Sequence, residues 1–334
     1  MNDLSNMFRS TLARQAIVAG ALAIGALGTQ ARAAIITVCP DGSCNFTDPV
    51  AAIAAAAAGD TIEIQAGTYM LGSTISIAGA GIAGKPLVIR GAVDASGRPA
   101  TVLNAGGTRT VLNLVALDAA TSIENLVLTN GRSDYGGAVF TYGANVVFRN
   151  CAFRNNRATY KAGALFINGS SPTLIDCEFT GNLASNEQST SQSTGGAIFI
   201  STGTPTLIRC SLSGNSSTYN GGAIFLSGGS NGGRVNLEST RICGNASPNG
   251  PQIGMNAGGI VTDLGGVCIS DNCDDCPVAP PCTADLNGDR AVTGEDLGLL
   301  LGAWGGSGRG DLNGDGAVNG ADLGAMLGAW GACR

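Results

Sequence analysis

The chain has 334 residues, 52 of them glycine, a formal net charge of −6 and no histidine. Glycine is about twice its usual share and charged residues, at 13%, about half theirs, while hydrophobics hold an ordinary 44%; this excludes disorder for most of the chain and, with no glycine at every third position, collagen. Without histidine there is no Ser-His or Cys-His nucleophile and no His-ligated zinc, and an acidic chain with 18 Lys plus Arg is not expected to take nucleic acid as a partner.

Residues 1–33 carry the three parts of a secretory signal peptide. Arg9 and Arg14 supply a positive start, Ala16 to Leu27 an apolar run, and Ala31-Arg32-Ala33 an A-x-A cleavage site. The run is shorter than the ~20 residues that cross a bilayer, and no later stretch does better, so no membrane span is expected. Export to the medium or the cell surface follows. Eleven cysteines in an exported chain are expected to form disulfides, though not all need pair.

Residues 34–271 are dominated by an internal repeat. Gly136-Gly137-Ala138-Val139-Phe140, Ala162-Gly163-Ala164-Leu165-Phe166, Gly195-Gly196-Ala197-Ile198-Phe199 and Gly221-Gly222-Ala223-Ile224-Phe225 start 26, 33 and 26 residues apart. Alternating with them, a second motif ends at Asn156, Asn182, Asn215 and Asn245, with Leu128-Thr129-Asn130 a weaker earlier copy. The longer unit carries a polar insertion, Ala184 to Thr194, read as a protruding loop. Each unit is too short for a domain and lacks a helical apolar period. In Asn150-Cys151-Ala152-Phe153 and Asp176-Cys177-Glu178-Phe179 the Cys and Phe share one parity, which places them inside a strand of period two. Paired glycines supply turns and let backbones approach, and Asn can hydrogen-bond its equivalent one layer away. The architecture that satisfies all of this is all-β: a parallel β-solenoid, one coil per 26-residue unit. In it Phe140, Phe166, Phe199 and Phe225 are expected to stack in one inward file.

These units resemble the repeats of polymorphic outer-membrane proteins. The opening Ala51-Ala52-Ile53, Ala57-Ala58-Gly59-Asp60-Thr61-Ile62 and Gly67-Thr68-Tyr69 resemble the first coil of right-handed, pectate-lyase-like β-helices. That resemblance implies a right-handed coil and a short capping helix, a role that Pro49 to Ala58 fits. The outer-membrane family also carries a transport barrel, for which this chain supplies no strands.

The cysteines sort by position. Cys151, Cys177 and Cys210 occupy one place in successive coils and are read as buried thiols. Cys39 and Cys44 are expected to clip the N-terminal loop. Cys243, Cys268, Cys273 and Cys276 lie at the far end with their pairing open; the Cys273-Asp-Asp-Cys276 spacing suits zinc or redox chemistry, but the compartment favours disulfides.

A Cys- and Pro-containing linker, residues 272–283, leads to a tail, residues 284–334, built from two copies of one unit 26 residues apart. Oxygen ligands at loop positions 1, 3, 5, 7, 9 and 12 are what a hard Ca²⁺ ion needs. They fall on Asp285, Asn287, Asp289, Ala291 (through its carbonyl), Thr293 and Asp296, then on Asp311, Asn313, Asp315, Ala317 (likewise), Asn319 and Asp322. Each loop runs into a helix with apolar positions Leu297, Leu300, Leu301 and Trp304, or Leu323, Met326, Leu327 and Trp330, ended by Gly305 or Gly331. This duplicated loop and helix resembles a type I dockerin, an α-helical calcium-binding domain, which implies Ca²⁺ and a cohesin-like partner protein. Arg290 replaces the glycine of loop position 6, and Gly294-Glu295 and Gly320-Ala321 replace the polar pairs with which dockerins recognise cohesins. A duplicated unit that packs with pseudo-two-fold symmetry joins its ends, so Cys282 and Cys333 are expected to pair.

For catalysis the solenoid offers one cluster, Asp176 and Glu178 read as outward on one strand, with Arg209 one coil later. A carboxylate pair suits glycoside hydrolysis, whereas an arginine beside a carboxylate opposes the raised pKa of a general acid. Two readings of different class stand. One is a non-catalytic protein that contacts carbohydrate or protein and carries a docking module. The other is a polysaccharide lyase or glycoside hydrolase on the same scaffold.

Overall fold

Short runs of alternating burial separated by turns dictate what the chain builds. In a computed structural model, which describes residues 33–79, 86–186, 193–229, 231–276, 283–287, 291–308 and 310–332, residues 35–270 form a parallel β-solenoid of about eight turns, followed by short helices. The leader before Ala33, Asp289, Cys282, Cys333 and the centre of the polar insertion lie outside those residues; the insertion's ends, Ala184 and Thr194, are buried in the coil wall. Three parallel sheets of nine, eight and seven strands make the walls, and a fourth of four strands lies along one flank.

Each inward position meets its equivalent one coil away. On the nine-stranded sheet Ile62, Ile89, Ile123, Phe148, Leu174, Leu207 and Leu237 are register partners. On the eight-stranded sheet Phe153 and Phe179 stack with ring centroids 4.3 Å apart. Aromatic stacking of this kind adds about 0.5–1.5 kcal/mol to the burial itself.

The turn between these two sheets uses one residue in the left-handed region in successive coils: Asn125, Asn150, Asp176, Arg209 and Ser239, with φ between +47° and +57°. Asn and Asp tolerate that conformation; Arg does not, at a cost of roughly 1–2 kcal/mol. Asp176 therefore sits in a corner, not on the strand the sequence suggested.

The Gly-Gly step has two separate causes. Gly136, Gly195 and Gly221 adopt φ near +64° to +70°, and Ala162 manages +61° in the same place. The second glycine tolerates no substitute, because a Cβ on Gly137, Gly163 or Gly196 would fall 2.1–2.2 Å from the carbonyl oxygen of Gly163, Gly196 or Gly222.

The asparagine file is a continuous buried ladder. Asn156 donates to Asn182 at 2.9 Å, Asn182 to Asn215 at 2.8 Å, Asn215 to Asn245 at 2.9 Å, and Asn245 ends the run on Gln252 at 2.8 Å. Each amide also reaches a carbonyl of the preceding coil, and each side-chain oxygen takes a backbone N–H of that coil.

Cys151, Cys177 and Cys210 are free, buried thiols, and each donates to a carbonyl of the preceding coil. Cys39 pairs with Cys44, while the open set resolves as Cys243–Cys273 and Cys268–Cys276. Those two bridges, with Arg241 donating to the carbonyls of Cys273 and Cys276, fold the chain back against the last coil.

At the other end the helix Pro49–Ala55 buries Ala52 and Ile53 against the first coil, with Asp48 capping it. It stops short of the expected Ala58, as Ala57 turns its N–H to the carboxylate of Asp60.

The phenylalanine file is stacked as expected but faces the other way. Val139 and Thr141 point into the core, so Phe140 points outward, and its column forms a cluster of its own beneath the flank sheet.

Replacing Asn182 by alanine removes partners from buried groups in the two neighbouring coils. At about 1–3 kcal/mol per unsatisfied group, we expect a loss of about 3 kcal/mol or more in chemical denaturation, against little change for exposed Asn130→Ala. Burial pushes the Cys177 and Cys210 thiols well above their ordinary range. The unfolded chain then ionises first as pH rises, so their contribution is complete below the ordinary thiol pKa and declines above it. Denaturation at rising alkaline pH should show that decline, and aromatic disulfide reagents should reach these thiols only on unfolding.

Candidate functional site

The outward phenylalanines lie one per coil on neighbouring strands in exact register, Phe140 to Phe166 to Phe199 to Phe225. Their centroids are 5.2, 5.4 and 5.5 Å apart and the rings are nearly parallel. Phe166, Phe199 and Phe225 are buried although they face away from the solenoid interior. Tyr135 packs edge-on to Phe166 at 5.4 Å and lies 5.9 Å from Tyr160, and Lys161 Nζ sits 4.6 Å over the ring of Phe199.

Outside this layer the surface is aromatic and cationic. Tyr135, Tyr142 and Tyr219 are 42%, 56% and 42% exposed. On the flank sheet Arg132 and Arg157 are register partners on adjacent coils. Flat rings beside fixed cations suit a polar, extended ligand.

The acidic cluster has a different fate. Arg209 grips Asp176 with two hydrogen bonds, 2.8 and 3.0 Å. Glu178 turns instead to Arg154 at 2.7 Å. Asp176 lies in the corner and Glu178 opens the next strand, so the two carboxylates answer to different arginines. The bond to Asp176 also holds the Arg209 guanidinium more firmly protonated.

The tail is built from its loops outward. Helices Gly294–Gly302 and Gly320–Gly328 each begin with a capping box, Thr293 with Asp296 and Asn319 with Asp322. Residues Ala291–Val292 pair antiparallel with Gly331–Ala332, closing the unit end to end. Its small core holds Leu286, Val292, Leu300, Val318 and Met326. The helix stripes divide: Leu300 and Met326 are buried, Leu297 and Leu323 pack partly, but Leu301, Trp304, Leu327 and Trp330 are about half exposed. These four belong to the apolar stripes, but two short helices do not enclose enough volume to take them.

In the second loop the ligand-type oxygens of Asp311, Asp315 and Asp322 lie within 4.8 Å of one another. Asp311 accepts from the backbone of Gly314, Asp315 and Gly316, and the fully buried Asp322 from Asn319, Leu312 and Asn313. Asn313 Oδ1 takes the N–H of Asp315, and Asn319 donates to the Ala317 carbonyl. The Asn319 N–H lowers the pKa of Asp322, and the Asn313 amide that of Asp315. In the first loop, burial pushes Asp296 up, but N–H groups of Thr293, Asn287 and Leu286 outweigh it and the net shift is downward. Asp285 and Ala291 flank that loop, and Asn287 donates to Glu295. Several ionised carboxylates in one all-oxygen loop fit a hard divalent cation.

Among known proteins, the Chlamydia polymorphic membrane protein repeat matches residues 209–227, the stretch holding Asn215 and the Gly221 to Phe225 unit. The crystal structure of pectate lyase Pel9A aligns with a TM-score of 0.46 and 18% identity over 67% of this chain; the alignment covers 55% of that protein, so this chain spans about half its length. No curated protein matches the sequence. The repeat match and the disulfides point to a β-solenoid protein outside the cytoplasm. Among the described residues no helix is long and apolar enough to cross a membrane.

Proposed function

We propose that this is an exported, non-catalytic, right-handed β-helix protein that contacts carbohydrate or protein through its aromatic flank, with a dockerin-like tail that binds Ca²⁺ and docks on a cohesin-like partner. The aromatic flank carries the reading. Tyr135 packs on a stacked phenylalanine column, Tyr142 and Tyr219 are exposed, and Lys161 sits over the ring of Phe199. That array can hold an extended ligand without reacting with it. The lyase or hydrolase alternative draws on Asp176 and Glu178, which hydrogen-bond to separate arginines and do not converge on one point.

In the tail, Asp311, Asn313, Asp315, Ala317 O, Asn319 and Asp322 would hold one ion, and Asp285, Asn287, Asp289, Ala291 O, Thr293 and Asp296 another. When bound, the ion neutralises the clustered carboxylates and ties each loop to the helix that follows. The half-exposed Leu301, Trp304, Leu327 and Trp330 then form the apolar part of a docking face.

Two experiments test this. The mature chain passed over pectin, alginate and neutral glycans should be retained without releasing reducing ends or unsaturated products, and Tyr135→Ala with Tyr142→Ala should weaken retention about tenfold, the loss of stacking worth about 1–1.5 kcal/mol. Robust turnover abolished by Asp176→Asn or Glu178→Gln would establish the enzyme instead. Both tryptophans of the chain, Trp304 and Trp330, lie in the tail, so selectively excited tryptophan fluorescence reports on the tail alone. We expect Ca²⁺ to change it saturably, and Asp322→Ala to remove the tighter of two sites, since the second loop keeps glycine at position 6. No response at millimolar Ca²⁺ refutes the calcium reading.

A further inference from the structure

The A-x-A motif ends at Ala33. Ala34 is held from both sides. Its carbonyl accepts the N–H of Thr61 at 2.9 Å, and its nitrogen donates to Asp60 Oδ1 at 2.8 Å. Asp60 is only 6% exposed, and its other oxygen accepts the N–H of Ala57 at 2.7 Å. Its backbone is fixed as well, donating to Ala57 O and accepting from Val88 of the next coil. Ala33 and Ala34 themselves are exposed, so the bond between them is open to a peptidase.

Hydrolysis of the Ala33–Ala34 bond by water changes what faces Asp60. The departing leader takes a carboxylate on Ala33, and the nitrogen of Ala34 becomes an ammonium with three protons, carrying its charge at neutral pH. That nitrogen is already at charge-assisted hydrogen-bond distance from Asp60.

We propose that Asp60 is the receptor for the α-ammonium of Ala34, so that removal of the leader creates an ion pair that locks the first coil and its capping helix. The pair ties the start of strand Ile35–Val38 to the turn that follows helix Pro49–Ala55, the two elements that close the N-terminal end of the solenoid. The proposal rests on the leader being removed, and not on what the flank binds.

The test compares three forms of the otherwise intact chain, released by a site-specific protease: one beginning at Ala34, the same form acetylated on its α-nitrogen, and one beginning at Ala33. We expect the free Ala34 form to melt a few degrees higher and to resist proteolysis near the N-terminus longer, with the other two alike. Asp60→Asn should erase the difference. Equal melting of all three forms, or a difference that persists in Asp60→Asn, overturns the receptor role. If Asp60→Asn does not fold, the acetylated and free forms of the natural sequence still decide. N-terminal sequencing of the exported protein should read Ala34 first; any other first residue overturns the coupling to processing, whatever glycan retention shows.

Discussion

Everything in the solenoid depends on one requirement: each coil must present to the next a backbone whose N–H and C=O groups fall opposite their partners, with nothing in between. No covalent bond joins neighbouring coils in the middle of the stack, and a buried unpaired amide costs as much as several contacts return. The requirement explains the most rigid feature of the repeat. At Gly137, Gly163 and Gly196 a single methyl would meet the next coil's carbonyl near 2 Å, so the backbone approach itself forbids a side chain. It also explains why asparagine fills the buried corner. Its amide donates twice and its oxygen accepts twice, which joins three coils at one point and leaves nothing unsatisfied. The ladder needs an end, and Gln252, one methylene longer, supplies it from within the last coil.

Stacking of this kind solves the middle of the fold and creates a difficulty at its ends, where strands expose unpaired edges. The two ends use different chemistry. The first coil is covered by a capped apolar helix, with Asp60 gathering the N–H groups of Ala34 and Ala57 where that helix stops. At the last coil a single 3-10 turn, Cys273–Asp275, is pinned by Cys243–Cys273 and Cys268–Cys276, and Arg241 secures its carbonyls. Disulfides suit that end because a few residues with little apolar area cannot hold themselves in place by burial.

Much of this was legible in the sequence because it repeats. The Gly-Gly step, the asparagine ladder and the column Cys151, Cys177, Cys210 recur in phase, and phase is a statement about which residues meet. What escaped lies where neighbours come from outside the repeat unit. The Phe140 column was assigned to the interior on hydrophobicity, yet parity alone places Phe140 opposite to Val139; only the flank sheet, contributed by another part of each coil, makes an outward phenylalanine affordable. Asp176 was read as a strand residue because its neighbours alternate, and its left-handed backbone leaves no periodic trace. Glu178 pairs with Arg154, whose register partner is Thr180, a diagonal contact that spacing does not announce. In the tail, loop positions and helix caps follow from the motif, whereas Leu301 and Trp304 show that an amphipathic stripe predicts a preference for burial without guaranteeing a core large enough to satisfy it.

The same translation that stabilises the fold shapes what its surface can do. Equivalent residues in successive coils form rows along the axis, so the solenoid readily generates ladders of one chemistry: rings over rings in the Phe140 column, arginine in register with arginine at Arg132 and Arg157. A row contacts a long ligand at many similar points. Catalysis asks for unlike groups converging on one bond, which a repeat provides only where it is broken. The coil containing Asp176, Glu178 and the polar insertion is such a break, and there the acids meet arginines from two different directions. Each carboxylate is held by its own arginine, so the two do not converge on one bond. The surface that remains regular is the one on which the proposed binding role rests, and it is where the stacked phenylalanines and exposed Tyr135 lie.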